Sequence, residues 1–352
     1  MDNSNTVIVT GGAGYIGSHT IIELLEQTDY RVVSLDNYSN STEDTYRRIQ
    51  EITGKGNRLT WFKVNLCNKE ELIHTLKQTD SIKGIIHFAA YKSVPESVAD
   101  PLLYYHNNME SLVNILYLCR EKKIRDFIFS SSCSVYGNIK TLPVTEEAEL
   151  SEAESPYAHT KQMGEEMVKS FTKYTPEFKS VLLRYFNPAG AHRSAKIGEL
   201  PLGPPTSLVP VITRTAAGLI LKMYVHGSDY ETRDGSCIRD YIHVSDIADA
   251  HIRALEFTRK DKNPEACSLF NLGTGNGITV FEAIKSFEKV SGKKLKYEVG
   301  PRRSGDVMAI YANNDLARRE LSWRPKFGLD DMMLSAWKWQ QHISTFTTKV
   351  TP

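Results

Sequence analysis

Tyr157 and Lys161 stand four residues apart just inside a helix start, in the stretch Ser155-Pro156-Tyr157-Ala158-His159-Thr160-Lys161. Ser155 is a good capping residue, and Pro156 gives up an N–H that has no partner in a first turn anyway. Side chains at i and i+4 leave the same helix face about one turn apart. A phenol releases its proton near pH ~10 and is a poor base at neutrality, but an ammonium close by favours the phenolate and lowers that value. The pair is therefore a candidate base for work near pH ~7. Alone, the same residues more readily describe a capped helix with a surface Tyr–Lys pair, so the elements that surround them decide.

Upstream, the β-branched run Thr6–Thr10 is long enough for a buried strand. It leads directly into Gly11-Gly12-Ala13-Gly14-Tyr15-Ile16-Gly17, and Ser18 to Gln27 then reads as an amphipathic helix. A strand, a glycine turn and a helix suit a pyrophosphate on a helix N-terminus, because glycine lets the backbone approach the phosphates closely. The spacing of Gly11, Gly14 and Gly17 is G-x-x-G-x-x-G rather than the commoner G-x-G-x-x-G. A second strand, Arg31–Leu35, ends on Asp36, close to the ~20 positions after the glycines at which an acidic residue accepts ribose hydroxyls. Its charge repels a 2′-phosphate, and no basic residue stands in the next few positions, so NAD is favoured over NADP.

Strands at Leu59–Asn65, Gly84–Ala89, Asp126–Ser131 and Ser180–Arg184 alternate with helices at Lys69–Thr79, Leu102–Lys122 and Tyr157 onward. This alternation predicts an α/β fold: a doubly wound, Rossmann-like parallel sheet with a smaller mixed α/β lobe. A reversal after the third strand puts the first and fourth strands side by side, and the glycine turn, His87-Phe88-Ala89-Ala90 and Ser130-Ser131-Ser132 then open onto one crevice. Composition shifts at Tyr185-Phe186-Asn187-Pro188, followed by a long Pro/Gly-rich stretch to Pro205 of the kind found in linkers and binding loops. The expected organisation is a dinucleotide-binding domain over 1–186 and a substrate lobe over 187–342, with part of 235–260 returning to the first domain and 343–352 as a frayed tail.

Forty-three basic and 42 acidic residues among 352 leave a net charge of +1 without any long charged block. Nothing argues electrostatically for nucleic acid or an anionic membrane as a partner. Five scattered cysteines (Cys67, Cys119, Cys133, Cys237, Cys267) show no C-x-x-C pair and no zinc-ligand spacing, so no metal is expected and the thiols fit a reducing compartment. No apolar run is long enough to span a bilayer, and the expected location is cytoplasmic.

As a set, the motifs resemble the extended short-chain dehydrogenase/reductase family and, within it, the 4-epimerases that act on UDP-galactose and UDP-glucose. The matching stretches include Val9 to His19, Leu35-Asp36-Asn37, Ile86-His87-Phe88-Ala89, Pro101 through Asn108, Phe127 to Ser132, Ser155 to Lys161, Leu183 to Pro188, Arg239 to Val244, Asn271-Leu272-Gly273 and Trp337-Lys338-Trp339-Gln340. The resemblance runs from Val7 to about Gln341. It implies that Tyr157 is the base at the sugar O4, that Lys161 binds the nicotinamide ribose and depresses the Tyr157 pKa, and that Ser132 hydrogen-bonds O4. It further implies NAD contacts at Gly11, Gly14, Tyr15, Ile16, Gly17, Asp36, Asn37, Asn40, Ser41, Asn65, Leu66, Phe88, Ala89, Lys92, Asn107 and Phe186, besides Tyr157 and Lys161. On the substrate side it implies Ser132, Tyr157, Asn187, Ser207, Leu208, Tyr224, Val225, His226, Arg239, Arg303 and Asp306, the two arginines offering planar forks to a diphosphate. The resemblance also implies a homodimer.

Three positions depart from the family pattern. Asn65 stands where Asp commonly meets the adenine, Ser207 replaces a frequent Asn, and Ile310 is intermediate between the bulky aromatic that excludes N-acetylated sugars and the small residue that admits them. Other UDP-sugars (UDP-N-acetylglucosamine, UDP-glucuronate, UDP-pentoses) are the alternative substrates. A nucleotide-sugar 4,6-dehydratase needs a carboxylate pair just after the serine position, where Cys133 and Ser134 stand. A cofactor-binding sensor has no use for the Ser132/Tyr157/Lys161 set.

Overall fold

The computed structural model describes residues 5–259, 265–303 and 306–347. The first half alternates strand and helix: β1 (Thr6–Thr10), α1 (Tyr15–Gln27), β2 (Arg31–Asp36), α2 (Asp44–Thr53), β3 (Leu59–Lys63), α3 (Lys69–Thr75), β4 (Ile82–His87), α4 (Val94–Ala99), α5 (Pro101–Glu121), β5 (Asp126–Ser132), α6 (Pro156–Tyr174) and β6 (Lys179–Tyr185). There follow β7 (Asn187–Ala189), α7 (Leu208–Ala216), β8 (Met223–His226), β9 (Ile238–His243), α8 (Val244–Phe257), β10 (Cys267–Leu272), β11 (Gly277–Thr279) and α9 (Val280–Ser291). The chain closes with β12 (Tyr297–Gly300), β13 (Ala309–Ile310), α10 (Asp315–Glu320) and α11 (Leu329–Thr347).

Seven strands form one sheet in the order β10-β6-β5-β4-β1-β2-β3, and every pairing in it is parallel. The reversal falls between β1 and β4, as the alternation predicts. Successive residues of β1 serve opposite faces: Val7 and Val9 join the core under α1 and α8, while Ile8 joins the core under α5 and α6. Helices thus cover both faces, which is why the strands read as unbroken apolar runs rather than alternating ones.

A Cβ at Gly164 would come within 2.7 Å of Phe129 on β5, so glycine lets the helix that carries Tyr157 and Lys161 settle directly over the C-terminal end of β5. Its start is capped as the sequence predicts, with Ser155 Oγ accepting from Ala158 N at 3.2 Å. Behind it, Glu165 is fully buried and accepts from Arg184 (Nε at 2.8 Å, Nη2 at 2.5 Å) and from Ser131 Oγ at 2.5 Å.

The smaller lobe pairs β9 with β11, β13 and β7, and β8 with β12. Its core gathers Val209, Ile212, Val225, Phe287, Met333 and Trp337. Buried Asp240 ties the lobe to the loop after β10 by accepting from Thr274 N, Thr274 Oγ1, Gly275 N and Ala312 N. The edge strand β10, at residues 267–272, lies beyond the 235–260 stretch and joins the large sheet beside β6.

Some boundaries differ from the sequence reading. α1 begins at Tyr15 rather than Ser18, because the glycine turn is tight enough for Gly17 to sit inside the first helical turn. α11 continues through 343–347 instead of fraying, with Ser344 Oγ donating to Gln340 O at 2.9 Å and the His342 ring stacked on Trp339. The remaining tail positions, 348–352, lie outside the described residues. Among the described residues no helix is long and apolar enough to cross a membrane.

Candidate active site

The glycine turn is built by contact as well as by flexibility. Gly11 adopts φ +68, and a Cβ there would meet Ala89 N at 2.8 Å; a Cβ on Gly17 would collide with the Gly11 carbonyl. Both positions must be glycine for β1, the turn and α1 to close on one another. The N-cap of α1 is Gly14, which has no side chain to satisfy the free N–H groups of the first turn. Asp36 closes the other side: Oδ2 accepts from Ala13 N, and Oδ1 accepts from Tyr38 N and Ser41 Oγ, each at 2.9 Å. Burial raises the Asp36 pKa, and the hydrogen bonds from Tyr38, Ser41 and Ala13 oppose that rise.

Ser132 at the end of β5 and Tyr157 on α6 face one cavity, where Ser132 favours the charged form of the phenol. The expected electrostatic help from Lys161 is absent. Burial pushes the Tyr157 phenol up to about 12, and only Ser132 pulls the other way. Lys161 Nζ instead donates to the Ser130 carbonyl at 2.7 Å, and burial lowers its pKa to about 8 against the opposing charge of Glu165. The spacing of Tyr157 and Lys161 is as predicted. Their environment is set by burial, which dominates the Tyr157 pKa, and by the Ser130 carbonyl, toward which the Lys161 ammonium is turned.

A cavity of about 660 Å³ opens at the switch point between β1 and β4. All the residues expected to hold the cofactor line it: Gly11, Gly14, Tyr15, Ile16, Gly17, Asp36, Asn37, Asn40, Ser41, Asn65, Leu66, Phe88, Ala89, Lys92, Asn107, Tyr157, Lys161 and Phe186. Ser132, Asn187 and Ser207 line it as well. The volume is of the size that takes a cofactor-scale ligand. The uncapped α1 N-terminus, the glycine cradle and the Asp36 carboxylate fit a dinucleotide with free ribose hydroxyls. Asn187 Oδ1 is a buried acceptor without a partner among the described residues.

The other expected substrate residues sit outside this cavity. Arg239 and Arg303 converge on Asp306: Arg303 Nη2 donates to Oδ1 at 2.8 Å and Nε to Oδ2 at 3.1 Å, while Arg239 Nη2 lies 3.3 Å from Oδ1. Leu208 opens α7, directly after Ser207. Tyr224, Val225 and His226 form β8 with Tyr224 and His226 exposed, whereas the Val225 side chain packs in the lobe core. Val225 can therefore reach a ligand only through its backbone.

Several lining residues carry no local signal in the sequence. Glu199 pairs with Lys92 (3.0 Å), accepts from Ser207 Oγ (3.4 Å), and offers its carbonyl to Trp339 Nε1 (2.9 Å). Arg48 also reaches the wall, but its guanidinium is engaged by Asp44 (2.7 Å), the Lys196 carbonyl (3.2 Å) and the Trp339 ring. No zinc-like spacing exists in the chain, yet the fold brings the ligand atoms of Cys67, His106 and Glu110 within 4.8 Å of one another. The only sequence trace of that cluster is the i, i+4 spacing of His106 and Glu110.

Residues 8–335 match the family model described as GDP-mannose 4,6 dehydratase. UDP-glucose 4-epimerase 2 of Arabidopsis thaliana is 44% identical over 337 residues, covering 96% of this chain and 95% of the plant protein. A UDP-glucose 4-epimerase structure from Stenotrophomonas maltophila, with bound NAD and formylated UDP-arabinopyranose, superposes with a TM-score of 0.93 at 39% identity, over 97% of this chain and 99% of that one. A second, from Bifidobacterium longum in complex with NAD+ and UDP, gives a TM-score of 0.90 at 40% identity, over 96% and 98% of the two chains.

Proposed function

The chain belongs to the UDP-glucose 4-epimerase family, within the broader dehydratase and epimerase fold family, and we infer that it interconverts UDP-galactose and UDP-glucose by inverting C4 with NAD as cofactor. The observation that carries this reading is the convergence of Ser132, Tyr157 and Lys161 at one end of a cavity whose other walls are the glycine turn and Asp36.

NAD, when bound, supplies the hydride acceptor at C4 and returns the hydride, so no outside oxidant or reductant is consumed. The chain's own residues do the rest. Tyr157 takes the O4 proton and later restores it, and Ser132, which lines the same end of the cavity, holds O4 in line. General-base help of this kind contributes about 10²–10⁴ in rate. Burial pushes the Tyr157 phenol up to about 12, and a positive charge on the bound cofactor would oppose that rise by favouring the phenolate. Lys161, fixed at the Ser130 carbonyl, has further ammonium protons for a ribose hydroxyl. Asn187 offers its unpartnered oxygen to a sugar hydroxyl. Arg239 and Arg303 grip the diphosphate by exchanging Asp306 for phosphate oxygens, which anchors the nucleotide and leaves the hexose end free to turn.

The dehydratase reading implied by the matched family model is less well served. Proton shuttling between neighbouring sugar carbons needs a carboxyl pair, and Ser132 is followed by Cys133 and Ser134. Residues 1–186 with α8 and β10 form the cofactor lobe in this reading, and most of 187–342 forms the substrate lobe. The enzyme works as a cytoplasmic homodimer. Exposed apolar side chains on α5, Leu102 and Val113 among them, support an interface there.

The direct test is to purify the protein without added cofactor, denature part of it to look for released NAD, and give the rest UDP-galactose. Released NAD and conversion to UDP-glucose without net NADH support the assignment. Accumulating NADH or a dehydrated sugar product overturns it.

A further inference from the structure

We propose that Cys67, His106 and Glu110 form a binding site for a thiophilic divalent cation of the zinc class, beside the cofactor cavity that Cys67 lines. Cys67 follows β3 in the loop that also supplies Asn65 and Leu66 to the cavity, while His106 and Glu110 share one face of α5. His106 Nε2 and Glu110 Oε2 already lie 2.9 Å apart, and the Cys67 sulfur completes a triangle with every edge under 4.8 Å. Ligand atoms around a tetrahedral zinc stand about 3.3–3.7 Å apart, since the metal–ligand bonds run from about 2.0 to 2.3 Å. Closing the triangle therefore takes rotamer adjustments of about an ångström, not backbone movement. The donor set of thiolate, imidazole and carboxylate is one that zinc accepts, and one thiolate plus one carboxylate neutralise its charge. Three protein ligands leave a fourth position for water.

The position of the cluster gives it a consequence. Cys67 Sγ lies 3.6 Å from the Asn107 carbonyl, and Cys67 and Asn107 both line the cavity. A bound cation cross-links the loop after β3 to α5, two walls of the same end of the cavity, and clamps that end. The metal site stands on its own geometry, while the clamp rests on the reading of the cavity as the NAD site.

The test uses the NAD-loaded protein, freed of any histidine tag, titrated with Co²⁺ under reducing conditions. The expected result is a cobalt–thiolate charge-transfer band that saturates at one equivalent. It disappears in Cys67→Ser and persists in Cys267→Ser. His106→Ala, on an exposed part of α5 where the fold is not at risk, weakens binding by at least about tenfold, the lower end of what even an outer-shell change costs. No band in excess Co²⁺, or a band that survives Cys67→Ser, overturns the site. For the clamp, Zn²⁺ slows NAD release from the wild type but not from His106→Ala. An unchanged release rate in metal-loaded wild type overturns the clamp and leaves the site standing.

Discussion

Lys92 Nζ stands 3.0 Å from Glu199 Oε1, although the two residues are 107 positions apart. Lys92 belongs to the loop after β4, and Glu199 to the Pro/Gly-rich stretch that runs from the smaller lobe along the cavity mouth. The pair fastens that stretch to the cofactor side, while the Trp339 indole holds the Glu199 carbonyl from the other side. Lys92 is about half exposed, so water screens the pair and its contribution is about 0.2–1 kcal/mol. Glu199→Gln should therefore speed NAD release by no more than about fivefold, and should remove the part of wild-type retention that weakens with salt. Slower release from the variant would mean that Glu199 competes with the cofactor for Lys92 instead of closing the mouth.

Tyr157→Phe should keep the fold and bind NAD normally, since it deletes one oxygen and leaves the ring in place. Turnover of UDP-galactose should fall by about 10²–10⁴. Turnover within a few-fold of wild type would exclude Tyr157 as the base.

Lys161 offers a test with a defined pH window. Its folded-state pKa, lowered to about 8 by burial, lies below the ordinary lysine value of 10.5. Between those values the unfolded chain holds a proton that the folded chain lacks, so stability rises with pH there. Below pH 8 the penalty for burying the ammonium is complete, on the order of 3 kcal/mol. Lys161→Met removes that penalty but strands the Ser130 carbonyl, which costs about 1–3 kcal/mol. The variant should match or exceed wild-type stability at pH 7, and its advantage should shrink as pH climbs from 8 to 10.5. Urea melts at several pH values measure this, and activity should be lost throughout.

What was legible in the sequence follows from how local each signal is. The glycine turn, Asp36 and the Ser155-Pro156 cap act within a few residues of their own backbone, and they stand where the pattern puts them. Burial is a property of the packed whole: nothing in the spacing of Tyr157 and Lys161 shows that the ammonium is turned to Ser130. Glu199, Trp339 and Arg48 reach the cavity only through contacts between distant segments. α2 escaped notice because just Tyr46 and Ile49 of its ten residues are buried, too few for a clear apolar period.

Glu165→Gln should be among the most destabilising single changes available, at about 3–5 kcal/mol, because it leaves the Arg184 guanidinium buried without a counter-charge. Nη1 of Arg184 already lacks a hydrogen-bond partner among the described residues, and the Tyr136 ring face 4.7 Å from the guanidinium is a weaker partner than the lost carboxylate. Pairing the change with Arg184→Met should recover much of the loss in urea denaturation. Glu165 also favours the charged form of Lys161, so the single variant should lose activity at the alkaline end first.

Arg303→Ala separates binding from chemistry. Arg303 sits with a two-pronged grip on Asp306, and Arg239 shares the same carboxylate, so both guanidinium groups converge where a diphosphate can replace Asp306. The diphosphate takes no part in the change at C4, and an interaction equal in ground and transition states alters KM rather than kcat. A charge-assisted hydrogen bond contributes about 1.5–3 kcal/mol, so KM for UDP-galactose should rise about 10–100-fold while kcat stays within about twofold. Arg239 also donates to the Ile238 and Val307 carbonyls, so Arg239→Ala should lower stability as well as affinity. A fall in kcat at unchanged KM for Arg303→Ala would place that side chain at the reacting sugar and remove the diphosphate anchor on which turning of the hexose depends.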